Sequence, residues 1–168
     1  MARFRLVPEQ SELWAEASSA LHRVRVHTTG LTGVLEAQLE GNPPVLSAPT
    51  QVELATVRLR SGNPMVDGEL QKRIDPRAHP TIRAEMVAAV VSPAAGTVRI
   101  TGTLSFHGVT RRLEVEVMIT RPEPDLLVLE GGRTIDMRDF ALPPPSFLMF
   151  RMDPRVQVRA RLVAVREA

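Results

Sequence analysis

Apolar and polar residues alternate along most of this chain. Leu13, Ala15 and Ala17 share one side, and Leu35, Ala37 and Leu39 repeat the pattern with Glu36, Gln38 and Glu40 opposite. Val98, Ile100, Leu104 and Phe106 lie on one face, with Arg99, Thr101, Thr103 and Ser105 on the other. Leu113, Val115, Val117 and Ile119 alternate with Arg112, Glu114 and Glu116, and Val156, Val158, Ala160 and Leu162 with Gln157, Arg159 and Arg161. A period of two puts one face in apolar surroundings and the other in water, as in antiparallel sheets. About eight such segments can be read, near residues 3–7 with 11–18, 32–40, 50–60, 81–91, 97–107, 110–121, 126–138 and 155–166. Turn residues punctuate them, as in Gly41-Asn42-Pro43-Pro44, Ser92-Pro93-Ala94-Ala95-Gly96 and Pro122-Glu123-Pro124-Asp125. Asn63 to Ile74 is the one clear helix, with Asn63 as its cap and Pro64 in its first turn. A weaker helical piece is read over Ser19 to His22.

There is no repeat, low-complexity tract or linker, so residues 1–168 are read as a single domain. Many long antiparallel strands and one helix predict an all-β fold: an eight-stranded antiparallel barrel, or a sandwich. Strands of about ten residues suit the barrel better, since eight strands enclose side chains plus one small ligand. The inward residues are mostly aliphatic, so such a cavity would be greasy.

Composition narrows the function. Hydrophobic residues make up 43% and charged residues 24% of the 168 positions, as in ordinary globular proteins. The net charge is +2, Lys72 is the only lysine, and the arginines are spread singly along strand-like segments. Aromatic residues are 4% and tyrosine is absent, so the stacking platforms of a nucleic-acid binder are not expected. No cysteine is present, which excludes disulfides, thiol nucleophiles and Cys-ligated metals. No window approaches 18 continuous apolar residues, and the opening MARFRLVPEQSELW lacks a signal-type apolar core, so a cytoplasmic protein that is not integral to a membrane is expected.

Candidate chemistry is sparse. His22, His27 and His79 have neither H-x-H nor H-x-x-x-H spacing, so no metal and no cofactor is expected. Asp136 and Asp139 would point to opposite faces of a strand, and no G-x-S-x-G elbow surrounds Ser146. His107 stands in GTLSFHGVTRRLEVEV, between two alternating runs. It is read as structural: Gly108 permits the turn, and the imidazole and the Thr110 hydroxyl bond nearby backbone, with a head-group contact and catalysis as the alternatives. An ion pair from Asp139 to Arg138 or Arg111 would tie this hairpin to the late strand. Pro143 to Phe150, PPPSFLMF, is read as a plug at one barrel end, with a lid or a homodimer contact as the alternatives.

Several stretches together resemble the YceI-like family of polyisoprenoid-binding proteins. They are HPTI at His79–Ile82; Gly102, Leu104, His107, Gly108, Val109, Thr110 and Arg111 of the hairpin; and Arg138-Asp139-Phe140. LVPEQSELWAEASS is similar to the family's first hairpin, and VDGELQKRID to its helix. SSALHRVRVHT replaces the family's Val-Lys-His, and ALPPPSFLMFRM is unusually rich in proline and bulky apolar residues. The resemblance implies a lipocalin-like barrel with a long apolar channel for an isoprenoid, an isoprenoid quinone or a similar amphiphile. That channel would be lined by Leu13, Ala15, Leu35, Leu39 and Leu54, by Met86, Ile100, Leu104 and Phe106, and by Val115, Val117, Met137, Phe140, Phe147 and Val158. His22 and His27 would stand at its mouth as head-group contacts, with His107, Gly108, Thr110, Arg111 and Asp139 structural. The expected function is sequestration or transport, not catalysis. The alternative is a barrel filled by its own side chains that serves as an interaction or stress-response module.

Overall fold

Each alternating run becomes a strand, and the strands close on themselves. The computed structural model describes residues 1–93, 96–142, 146–147 and 150–168, without the side chains of 146, 147, 150 and 151. In chain order the strands are β1 (Ala2–Leu6), β2 (Glu12–Ser18), β3 (Arg23–Thr29), β4 (Thr32–Gln38), β5 (Val45–Ala55), β6 (Thr81–Val91), β7 (Thr97–Phe106), β8 (Val109–Glu123), β9 (Leu126–Asp136), β10 (Ser146–Phe147), β11 (Phe150–Arg151) and β12 (Arg155–Arg166). Antiparallel pairing runs β1-β4-β5-β6-β7-β8-β9-β12 and returns to β1, an eight-stranded closed barrel. The ring is closed although two of its seams are only partly laddered, β5–β6 over 51–55 with 81–85 and β8–β9 over 117–123 with 126–131.

Four strands lie outside the ring: β10 and β11 pair only with each other, and β2 and β3 extend the main sheet. β1 and β2 do not pair with each other: β1 meets β12 at Ala164–Arg166, and β2 meets it at Gln157–Arg161, so the two lie end to end along one edge. LVPEQSELWAEASS, expected as the first hairpin, is therefore not one, and the first hairpin of the chain is β2–β3. Its turn, Ser19–His22, contains no helix, because the Ser19 hydroxyl accepts the His22 amide across a tight bend. β3 repeats the alternation, with Val24 and Val26 on the inner side.

The helix α1 (Pro64–Ile74) sits between β5 and β6 and walls one end of the barrel. The Asn63 side chain accepts the amides of Met65 and Val66, as its capping position predicts. In the first turn, the buried Asp67 accepts from the Ser61 amide and hydroxyl and the Gly62 amide. Burial alone would raise the pKa of Asp67; those hydrogen bonds, aided by Arg60, hold it below its ordinary value.

At β5, Ala48-Pro49-Thr50 stand opposite Leu35 alone. Proline cannot donate to the ladder. The Thr50 hydroxyl fills in, accepting the Glu36 amide and donating to the Ser47 carbonyl.

The β4–β5 and β8–β9 turns mark one end, where the interior is solid. Phe4, Leu35, Ala37, Val98, Leu127 and Ala164 are fully buried there. The opposite end carries α1, the β7–β8 turn and the β2–β3 turn. The strand expected over 126–138 ends at Asp136, and Met137–Phe140 form a 3-10 turn capped by the Asp136 carboxylate on the Arg138 amide. Of Pro143 to Phe150, only the backbone pairing of β10 with β11 is described, so the plug, lid and dimer expectations lie outside the described residues.

Candidate functional site

Between the solid end and α1 the barrel is hollow. Leu13, Val52, Met86, Ile100, Val115 and Leu162 point inward by register, yet they are only partly buried. They pack against the buried core on one side and border open space on the other. An upper cavity of about 290 Å³ is walled by Leu35, Leu46, Val52, Met86, Ile100 and Val115 among others. A lower cavity of about 270 Å³ reaches α1, walled by Ala17, Val24, Val66, Leu70, Met137 and Val156. Leu13, Ile82, Leu104, Ile135 and Val158 wall both, so the two hollows adjoin within one apolar interior, hereafter the channel. Few interior voids larger than a water molecule exist in a close-packed core, which makes a space of this size a built feature.

The residues expected on the channel wall fall at several places in the barrel. Leu35, Leu54, Met86, Ile100, Val115 and Val117 line the upper part, Ala15, Phe106 and Met137 the lower, and Leu13, Leu104 and Val158 both. Leu39 packs against the core without bordering either cavity. Phe140 is buried against Phe106, ring centroids 6.1 Å apart, and also borders neither. The Phe147 side chain lies outside the described residues. Neither histidine expected at the mouth lines the channel. His27 shares the outer face of β3 with Arg23 and Arg25, stacks on Trp14 at 5.3 Å and places Nε2 3.5 Å from Glu12. His22 belongs to the β2–β3 turn.

The HGVTR hairpin turns on two residues. His107 and Gly108 have φ of 54° and 76°, between the paired Phe106 and Val109. Positive φ at both central residues is the turn that matches the twist of the flanking strands, and Gly108 adopts it without steric cost. A Cβ on Gly108 would also sit 3.2 Å from the His79 ring. His107 Nδ1 lies 3.0 Å from the Phe140 carbonyl, an acceptor, so Nδ1 carries the proton. Its ring packs on His79 at 4.5 Å. The bond is thus to the distant 3-10 turn, not to local backbone. Thr110 likewise bonds a side chain, the Ser105 hydroxyl at 2.7 Å.

The expected Asp139 ion pairs are replaced by other bonds. Arg111 Nε donates to the main-chain carbonyl of Asp139 at 3.0 Å. Arg138 grips Asp136 at 2.7 and 3.0 Å. That guanidinium holds the Asp136 carboxyl below the usual carboxylate range. The hairpin and the late segment are tied as expected, through a carbonyl.

Sequence reasoning passed over Val24, Val66, Leu70 and Arg133, all of which line the channel. The signal for Arg133 was present. Leu127, Leu129, Gly131 and Ile135 share the inner register of β9, and Arg133 is the charged residue in that series. Among the described residues no three His, Asp or Glu side chains gather where they could hold a metal ion. No described helix is long and apolar enough to cross a membrane.

Known structures share this architecture. BcnA of Burkholderia cenocepacia superposes with a TM-score of 0.80 at 13% identity, over 95% of this chain and 99% of that one. A polyisoprenoid-binding domain from Saccharophagus degradans, implicated in plant cell wall breakdown, gives 0.79 at 12% identity, over 99% and 100%. The Campylobacter jejuni YceI protein gives 0.68 at 13% identity, over 90% and 89%. No curated protein sequence matches the chain. The family model of the YceI-like domain matches residues 4–164, and with the closed barrel and its apolar channel this settles the family: the chain belongs to the YceI-like proteins.

Proposed function

We propose that this protein binds a hydrophobic amphiphile, an isoprenoid, an isoprenoid quinone or a similar lipid, with its tail in the channel, and so sequesters or carries it. The observation that supports this most is the set of inward aliphatic side chains left partly bare around the two adjoining hollows. Unfilled apolar volume forgoes packing at about 24 cal/mol per Å³, so the two hollows together cost on the order of 10 kcal/mol. A tail that fills them recovers that loss. If it buried about 400 Å² of apolar surface it would gain roughly 10 kcal/mol, less the cost of ordering the chain. The polyisoprenoid-binding domain of the Saccharophagus protein, alike in fold, supports the same class of ligand. Retention of an apolar tail needs no acid–base pair, and binding rather than catalysis is the activity we assign.

A series of linear alcohols from octanol to hexadecanol tests the reading by calorimetry. Each added methylene should tighten binding about fourfold, from about 0.8 kcal/mol per buried CH₂, until the channel is full, after which affinity levels off. Affinity independent of tail length, or no binding, contradicts it.

A further inference from the structure

The barrel wall has a fork between β8 and β9. Their ladder runs from Glu123–Leu126 to Val117–Gly131 and stops. Beyond it β8 stays paired with β7 down to Phe106–Val109, and β9 stays paired with β12 down to Asp136–Arg155. The two strands separate with their facing edges unpaired. At the fork a Cβ on Gly131 would lie 2.9 Å from the Glu116 carbonyl, so glycine lets the strands meet there before they part.

Arginine side chains span the gap in place of a ladder. Arg133 NH1 donates to the Glu114 carbonyl at 2.9 Å, and its Nε to the Thr134 carbonyl at 3.2 Å. Further down, Arg111 reaches the Asp139 carbonyl. Arg133 both borders the upper cavity and is exposed to solvent, so it stands in an opening of the wall. Leu113, Val115 and Ile135 form the apolar sides of that opening. A guanidinium has five N–H donors. Its two hydrogen bonds engage two of them, and among the described residues no carboxylate forms an ion pair with Arg133.

A cation at the boundary of an otherwise aliphatic hollow fits one chemistry. We infer that the β8–β9 fork is a side entrance to the channel and that Arg133 binds the anionic oxygens, phosphate or carboxylate, of an amphiphile whose tail lies inside. This rests on the channel-binding reading and adds the charge and the position of the head group. The planar guanidinium presents paired donors that match an oxyanion. Its existing bonds to main-chain carbonyls hold it at the entrance.

Dodecyl phosphate and dodecan-1-ol, with identical tails, test this by calorimetry on the full chain. The wild type should prefer the phosphate by about 10- to 100-fold, the range of a charge-assisted contact. R133Q should lose most of that preference and keep its affinity for dodecanol, which also shows that the variant is folded. R133K should keep part of it. Inorganic phosphate alone should not bind measurably, because the tail supplies most of the affinity. An equal preference in wild type and R133Q overturns the inference and leaves the channel reading standing. Inorganic phosphate binding as tightly as dodecyl phosphate also overturns it, in favour of a free-anion site. If neither dodecyl compound binds the wild type, the channel reading falls and this inference falls with it.

Discussion

His107 shows how one residue serves turn and tertiary structure together. Its φ of 54° lies in a region that most side chains resist, and its Nδ1–H reaches across to the Phe140 carbonyl. His107→Ala keeps the strained angle and loses the bond. It should lower stability by about 1–2 kcal/mol, while His107→Gly, freed of strain, should lose about 1 kcal/mol less. Thermal or urea denaturation of the two variants measures this, and equal losses would remove strain from the account. Asp139→Asn should change stability by less than about 0.5 kcal/mol, because Arg111 holds the carbonyl and not the carboxylate. The turn itself was legible, since HG between alternating runs encodes it locally. Its partner was not, because a main-chain carbonyl leaves no mark in the sequence. His27 was legible in principle: with Arg23 and Arg25 it alternates against Val24 and Val26, which puts it outside.

At the scale of elements, strand existence followed from period two, and strand partners did not. The capped helix and most strands stand where alternation places them. Arg23–Thr29 was passed over although it alternates, and its His27 was expected at the channel mouth instead. The end-to-end placement of β1 and β2 on β12 depends on long-range register, which no local pattern carries. The helix, in turn, depends on Asp67. That carboxylate stays ionised to lower pH in the folded protein than in the unfolded chain. Its contribution is therefore complete above the ordinary value of 3.8 and is lost as pH falls through the lowered native value. Asp67→Asn should cost about 1–3 kcal/mol near neutral pH. In urea denaturation, the gap to wild type should narrow once the pH is taken below 3.8. An unchanged gap at both pH values would mean that the carboxylate charge is not what fastens residues 61 and 62 to the helix.

For the whole molecule, alternation told which side chains face inward but not how much room they leave. The barrel resolves this unevenly. At one end Phe4, Leu35, Val98 and Leu127 fill the interior, as the side-chain-filled alternative would have it throughout. Toward α1, residues of the same type line open space, and the β2–β3 hairpin and the helix contribute to its wall. Volume is a property of strand positions in three dimensions, and it is the quantity on which the function turns.

Native mass spectrometry of the purified protein, followed by organic extraction and mass analysis of what is released, tests the central claim most directly. The account predicts a bound species of isoprenoid or acyl mass, or a mass shift by one ligand after incubation with polyprenyl quinones and fatty acids. An apo mass that stays unshifted through both would contradict it: the channel would then hold no amphiphile, and the search would turn to protein partners.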